Sequence, residues 1–251
     1  MMTQRDPMAS SRAIRRSLDI YYRDKERVAR MDALNAAFIK PGDLVFDVGA
    51  HVGDRTGSAL RLGASVVALE PQPHVFRALR LLYGRNPKVR LVQAAAGEAS
   101  GQVYMHVNSA NPTVSTVASD FIASADGAEG WAEQVWDQRI LVDVTTLDQL
   151  IETHGCPDFV KIDVEGHEPA VLRGLGEALP CLSFEITIIQ RDAALACVAR
   201  LEELGRYQYN LSLGEEHRLQ FNDWLKPQDI RTAIASLPDS ANSGDVFARL
   251  I

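Results

Sequence analysis

One run constrains this chain more than any other: DLVFDVGAHVG at residues 43–53. Residues 43–47 read as a short buried strand, residues 49–53 as a glycine turn, and Asp54 as the start of a helix. Strand, glycine turn and helix start form the corner at which open α/β sheets bind nucleosides. Glycine is needed where a ligand must approach bare backbone. The run departs from G-x-G-x-x-G: His51 stands at the second glycine and Asp54 at the third. A dinucleotide pyrophosphate wants glycines and helix amides clear of negative charge. Asp47 ends the strand instead, so the corner suits a ligand that carries a cation and no phosphate.

S-adenosylmethionine, with a sulfonium and an ammonium group, is such a ligand. Asp47, Gly49, Ala50, His51 and Gly53 are its candidate contacts, with His51 assigned to the methionine end against a plain loop-capping role. Residues 65–70 form a second strand, apolar throughout as a parallel strand covered on both faces should be. It ends in Glu70 and Pro71, and Glu70 falls 23 positions after Asp47. That is near the roughly 20-residue offset at which an acid accepts hydrogen bonds from ribose hydroxyls. A third strand covers residues 89–94. Ala95, Ala96 and Gly97 keep the next turn narrow enough for a flat adenine, with Gln93 a candidate for the base edge.

A helix is predicted over residues 12–38 and ends at Pro41 and Gly42, with residues 1–11 disordered. Helices over 54–62 and 73–83 follow, and residues 101–107 alternate like an extra strand. Residues 108–138 break the βα rhythm and read as an inserted cover. Within them Ser115 and Thr116 are candidates for the acceptor pocket, against ordinary loop hydrogen bonding. Strands follow at 139–144, 158–164, 181–187, 207–213 and 245–250. Helices are expected from 145, over 170–175 and over 192–204, and a polar segment with Trp224 precedes the last strand. Alternation of β and α implies one doubly wound parallel sheet. The domain plan is a helical extension, 1–39, and a catalytic domain, 40–251.

The second constellation is KIDVEGHE at 161–168. Asp163 and Glu165 are two apart and share a side of an extended chain. His167 and Glu168 follow at a turn into a helix, where negative charge is favoured. One acid could be a helix cap, but four titratable groups at one strand end indicate a functional cluster. Asp163, Glu165 and His167 are candidate bases for deprotonating a hydroxyl. Asp163 and Glu165, with Glu185 as a third carboxylate, could instead hold magnesium. That alternative is not favoured on spacing alone, because carboxylates two apart are common without metal. Glu185 is otherwise an acceptor contact.

The net charge of −7 argues against a nucleic-acid-binding surface over the whole protein. Residues 1–30 hold eight Arg or Lys against four Asp or Glu. That is a solvated helix face, or a surface for a partner, a second copy or an anionic membrane. Cys156, Cys181 and Cys197 lack metal-ligand spacing, and two lie in apolar runs as buried thiols. No apolar run is long enough to span a membrane, no signal core is visible, and a cytoplasmic location is the default expectation.

The runs DVGAHVG at 47–53, Glu70 with Pro71, KIDVEGHE at 161–168, VLRG at 171–174 and GDVFAR at 244–249 resemble the FkbM family of methyltransferases. The resemblance covers about residues 40–250, and the 161–168 run is its most specific part. It implies a class I, Rossmann-like fold: seven strands, mainly parallel, the last antiparallel, with helices on both faces. It also implies S-adenosylmethionine as donor, held by Asp47, Gly49, Gly53 and Glu70, with Asp163 and Glu165 beside the transferred methyl. The implied reaction is O-methylation of a hydroxyl on a sugar, glycolipid or natural product. The alternatives are a non-catalytic binder of the same cofactor and an NAD-dependent oxidoreductase.

Overall fold

The computed structural model describes residues 9–251. The expected N-terminal helix is two helices, α1 (Ala9–Arg23) and α2 (Lys25–Asn35). Asp24 separates them by accepting a hydrogen bond from the Arg27 amide, which caps the second helix. Helix therefore begins at Ala9, inside the stretch expected to be disordered; residues 1–8 of that expectation lie outside the described residues. Then come β1 (Leu44–Val48), α3 (Asp54–Arg61), β2 (Ser65–Leu69), α4 (Pro73–Tyr83) and β3 (Val89–Val92). The middle of the chain carries β4 (Ala95–Ala96), β5 (Gly101–Val107), α5 (Ser119–Ala125), β6 (Gln138–Thr145) and α6 (Leu147–His154). The remainder is β7 (Phe159–Ile162), α7 (Glu168–Arg173), β8 (Cys181–Thr187), α8 (Arg191–Leu204), β9 (Tyr207–Leu213), α9 (Pro227–Ser236) and β10 (Ser243–Leu250).

The main sheet has seven strands in the order β3-β2-β1-β7-β8-β10-β9. All pairs are parallel except those of β10, which runs against both neighbours. This is the class I methyltransferase topology with its reversed last strand. Strand parity sorts the core. Phe46, Ile162 and Phe184 pack on one face beneath Leu172, Val198 and Ile230 of α7, α8 and α9. Val45, Phe159 and Phe247 pack on the other face with Ala59 and Leu79 of α3 and α4. A side sheet, β4-β6-β5, branches off after β3.

Register decides where chemistry can occur. Asp47 lies opposite Ala68 and Lys161, so the ends of β1, β2 and β7 are level. β10 runs backwards, and its first residues reach the same edge: Asp245 pairs with Glu185. Ligands bind at this carboxyl edge in open α/β sheets. No helix among the described residues is long and apolar enough to cross a membrane.

Candidate active site

The carboxyl edge opens into a cavity of about 270 Å³. One wall is the turn after β1. Gly49 adopts φ +84°, and a Cβ there would lie 1.7 Å from the Asp163 carbonyl oxygen. Only glycine lets the β1 turn seat against the end of β7. His51 holds φ +48°, so it keeps the left-handed backbone of the glycine it replaces. Its Nε2 is enclosed and has no hydrogen-bond partner. Burial lowers its pKa to about 4, so the ring is neutral near pH 7.

Two acids stand beside this turn. Asp47 is buried and accepts a hydrogen bond from Thr56 Oγ1 at 2.5 Å. Burial raises its pKa to about 6, against the lowering effect of that bond. Glu70, after β2, accepts from the His51 amide at 3.1 Å and the Gln72 amide at 2.7 Å. Two backbone donors fix its carboxyl plane, and burial raises its pKa to about 7. Pro71, Ala95, Met105 and Val114 supply apolar wall.

Next to this turn, the ends of β7 and β8 and the inserted segment complete the lining. Asp163, Glu165 and Glu185 bring carboxylate oxygens within 4.8 Å of one another. Burial and the neighbouring Asp163 raise the pKa of both Glu165 and Glu185 well above the usual carboxylate range. Lys161 of β7, behind Asp163, is buried. Burial works against its charge, but Asp163, Asp245 and Glu185 outweigh that and raise its pKa. Glu168 accepts from the Val164 amide at 2.8 Å. His167 lines the cavity and is neutral, its pKa lowered to about 4 by burial and then by Arg173.

Most of the sequence candidates meet here: Asp47, Gly49, Ala50, His51, Glu70, Pro71, Ala95, Ser115, Asp163, Glu165, His167 and Glu185 all line one cavity. Three do not. Gln93 is exposed, because β3 ends at Val92 and the chain bends at Ala94, so Ala94, Ala95 and Ala96 take the cavity side. Gly53 turns away from the cavity: a Cβ there would meet Leu79 and Tyr83 at 2.6 Å, so its role is close packing of α3 on α4. Thr116 is fully buried behind the wall, and its Oγ1 donates to the Glu165 carbonyl at 2.7 Å. It pins Glu165, whose φ is +56°. Thr116→Val is therefore expected to lower stability by about 1–3 kcal/mol in urea denaturation; an unchanged midpoint would show the bond to be idle.

Sequence reasoning missed the far rim. Tyr21 of α1 lines the cavity and meets His51 edge-on at 6.0 Å. Arg27 of α2 is buried and bonds both Asp54 and Glu215, and Arg55 pairs with Asp54. The basic helical extension is thus partly clamped onto the cavity mouth. Charge pattern alone gives no sign of it, because the partners are 27 and 188 positions away.

The family model for the methyltransferase FkbM domain matches residues 47–222. The chain belongs to the FkbM methyltransferase family. The oxidoreductase reading falls with that assignment, and the S-adenosylmethionine-dependent methyltransferase fold stands. The chain is 30% identical over 150 residues to the hexuronic acid methyltransferase AglP of Haloferax volcanii, across 59% of this chain and 56% of that protein. The match thus spans little more than half of that relative. Solved structures of similar fold include a TehB-like SAM-dependent methyltransferase from Corynebacterium glutamicum, 12% identical, covering 98% of this chain and all of that one, TM-score 0.48. Another is an O-methyltransferase from Bacillus cereus, 11% identical, covering 100% and 94%, TM-score 0.45. Strand order, rather than these scores, carries the fold.

The FkbM cavity fits its cofactor on its own chemistry. The orphaned His51 Nε2 sits beside the glycine turn, and the fixed Glu70 carboxyl sits at the end of β2. α3 opens on Asp54, which leaves no clear amide nest for a phosphate. Glu70→Ala is expected to weaken S-adenosylmethionine binding by roughly 1–3 kcal/mol, read by calorimetry. Unchanged affinity would remove Glu70 from the cofactor pocket.

Proposed function

We propose that the protein transfers a methyl group from S-adenosylmethionine to a hydroxyl oxygen of a sugar. The observation that carries this reading is the cluster of carboxylates that lines one cavity together with the glycine turn. Several acids able to accept hydrogen bonds suit a polyhydroxylated acceptor. They disfavour a bare carboxylate at the reacting position, through like-charge repulsion. That favours a hydroxyl as the methylated group, whether or not the sugar carries a carboxylate elsewhere. The relative from Haloferax volcanii, a hexuronic acid methyltransferase, supports a sugar as the substrate class.

S-adenosylmethionine supplies a methyl on a sulfonium, a leaving group that needs no protonation. The rest falls to the chain. Asp47, Gly49, Ala50 and Glu70 bind and orient the nucleoside end, and His51 holds the methionine end. Glu165, Glu185 and Ser115 position the acceptor, and alignment of this kind is worth several kcal/mol. The acceptor oxygen forms the new O–C bond, the C–S pair stays on sulfur, and the hydroxyl proton passes to Asp163. Lys161 holds Asp163 Oδ2 at 3.2 Å, which fixes that carboxylate in place.

The test is transfer of labelled methyl from S-adenosylmethionine to a panel of hexuronosides and neutral glycosides. A methyl ether on a sugar is the expected product. Methyl found only on nitrogen, carbon or a carboxylate across the panel overturns the reading.

A further inference from the structure

We infer that Asp163, Glu165 and Glu185 form a binding site for one hard divalent cation of the magnesium or manganese class. The three carboxylates converge from the end of β7 and from β8, with oxygens within 4.8 Å. An octahedral ion at 2.0–2.1 Å sets its trans ligands about 4.2 Å apart, and calcium at 2.3–2.6 Å sets them up to about 5.2 Å apart. Oxygens no more than 4.8 Å apart are thus near enough for one such ion to draw them onto a single coordination sphere by small side-chain rotations. Carboxylate oxygens alone select hard cations over zinc or copper.

The second observation concerns what these acids lack. Glu165 is only 9% exposed, and its carboxylate has no hydrogen bond or ion pair among the described residues. Glu185 Oε2 is enclosed and likewise has no hydrogen-bond partner. Buried carboxylates are otherwise paired or bound to metal. The nearby Lys161 ammonium makes neither a hydrogen bond nor an ion pair to either of them. Lys161 Nζ donates to the Ile162 carbonyl at 3.2 Å, lies 2.6 Å from Asp245 Oδ1 and lies 3.2 Å from Asp163 Oδ2. An ammonium has three donors; two are taken by the hydrogen bonds to the Ile162 carbonyl and Asp245, and its remaining ion pair goes to Asp163 rather than to Glu165 or Glu185. A divalent ion supplies the missing charge and leaves part of its coordination sphere open to a pair of acceptor hydroxyls. That last consequence rests on the proposed sugar hydroxyl transfer; the binding of the ion does not.

Titration of the purified full chain with Mn²⁺, followed by electron paramagnetic resonance of the free ion, tests this. Saturable binding of one ion per chain is expected, with S-adenosylhomocysteine present or absent, and with competition by Mg²⁺. Losing a ligand should weaken binding at least as much as losing an outer-shell partner, which costs roughly 10–100-fold. Glu165→Gln and Glu185→Gln should therefore each raise the Mn²⁺ Kd by that much, whereas the exposed Glu216→Gln should leave it unchanged. Mn²⁺ should also raise the thermal midpoint of the unmodified chain and not that of either variant. No saturable Mn²⁺ binding by the unmodified chain overturns the proposal, and so does binding that both variants retain in full. Neither result bears on methyl transfer, which is read separately on the glycoside panel.

Discussion

Gly49→Ala is expected to abolish S-adenosylmethionine binding and to destabilise the fold by roughly 2–5 kcal/mol, the sum of a left-handed alanine and an overpacked contact. The alanine would be strained at φ +84°, and its Cβ would lie 1.7 Å from the Asp163 carbonyl oxygen and 2.8 Å from its carbon. Both obstacles are backbone, so no side-chain rotation relieves them. The seam between β1 and β7 must open, and Asp163 must move with it. Gly130→Ala separates the two causes. Gly130 has nearly the same dihedral, φ +81°, and a Cβ there would meet nothing within 4 Å. It should lose only the dihedral part, about 1–2 kcal/mol, and keep cofactor affinity. Urea denaturation and calorimetry on both variants decide the matter. Equal losses in the two would show that the turn is not locked against Asp163.

The same contact explains what could be read from the sequence. Apolar runs ended by glycine, proline or an acid are local signals, so α4 at Pro73–Tyr83 and β8 at Cys181–Thr187 match the expected bounds. The acids at strand ends meet because a parallel sheet brings successive carboxyl ends to one edge. Signals that act at a distance stay hidden. Asp24 looks like one more charge on a helical face, yet it ends one helix and caps the next. α9 falls in the stretch that reads as a polar segment, because only Ile230 and Ile234 mark its buried side. Tyr21, Arg55 and Glu215 join the cavity through tertiary contact, and no spacing announces them. The end of β3 also misleads: the strand stops at Val92, short of the expected 94, and the bend that follows leaves Gln93 outward.

Asp163→Asn is expected to cut turnover about 10²–10⁴-fold, the usual contribution of a positioned base, while S-adenosylmethionine affinity stays close to that of the unmodified chain. Asparagine keeps the shape of the side chain and removes its capacity to take the proton; because it also alters one ligand of the inferred cation site, both chains are compared in the presence of a chelator. The fold should tolerate the change. Lys161 keeps its bonds to the Ile162 carbonyl and to Asp245 Oδ1. The charge lost at 163 also relieves repulsion on Glu165 and Glu185, whose raised pKa values owe part of their shift to Asp163. A large loss in turnover without loss of stability therefore isolates chemistry from architecture. Single-turnover transfer to the glycoside acceptor, alongside calorimetry with S-adenosylmethionine, measures the two separately. Turnover equal to that of the unmodified chain would move the proton to another group. His167 would then be the leading candidate, because it faces the same cavity and is already uncharged at neutral pH.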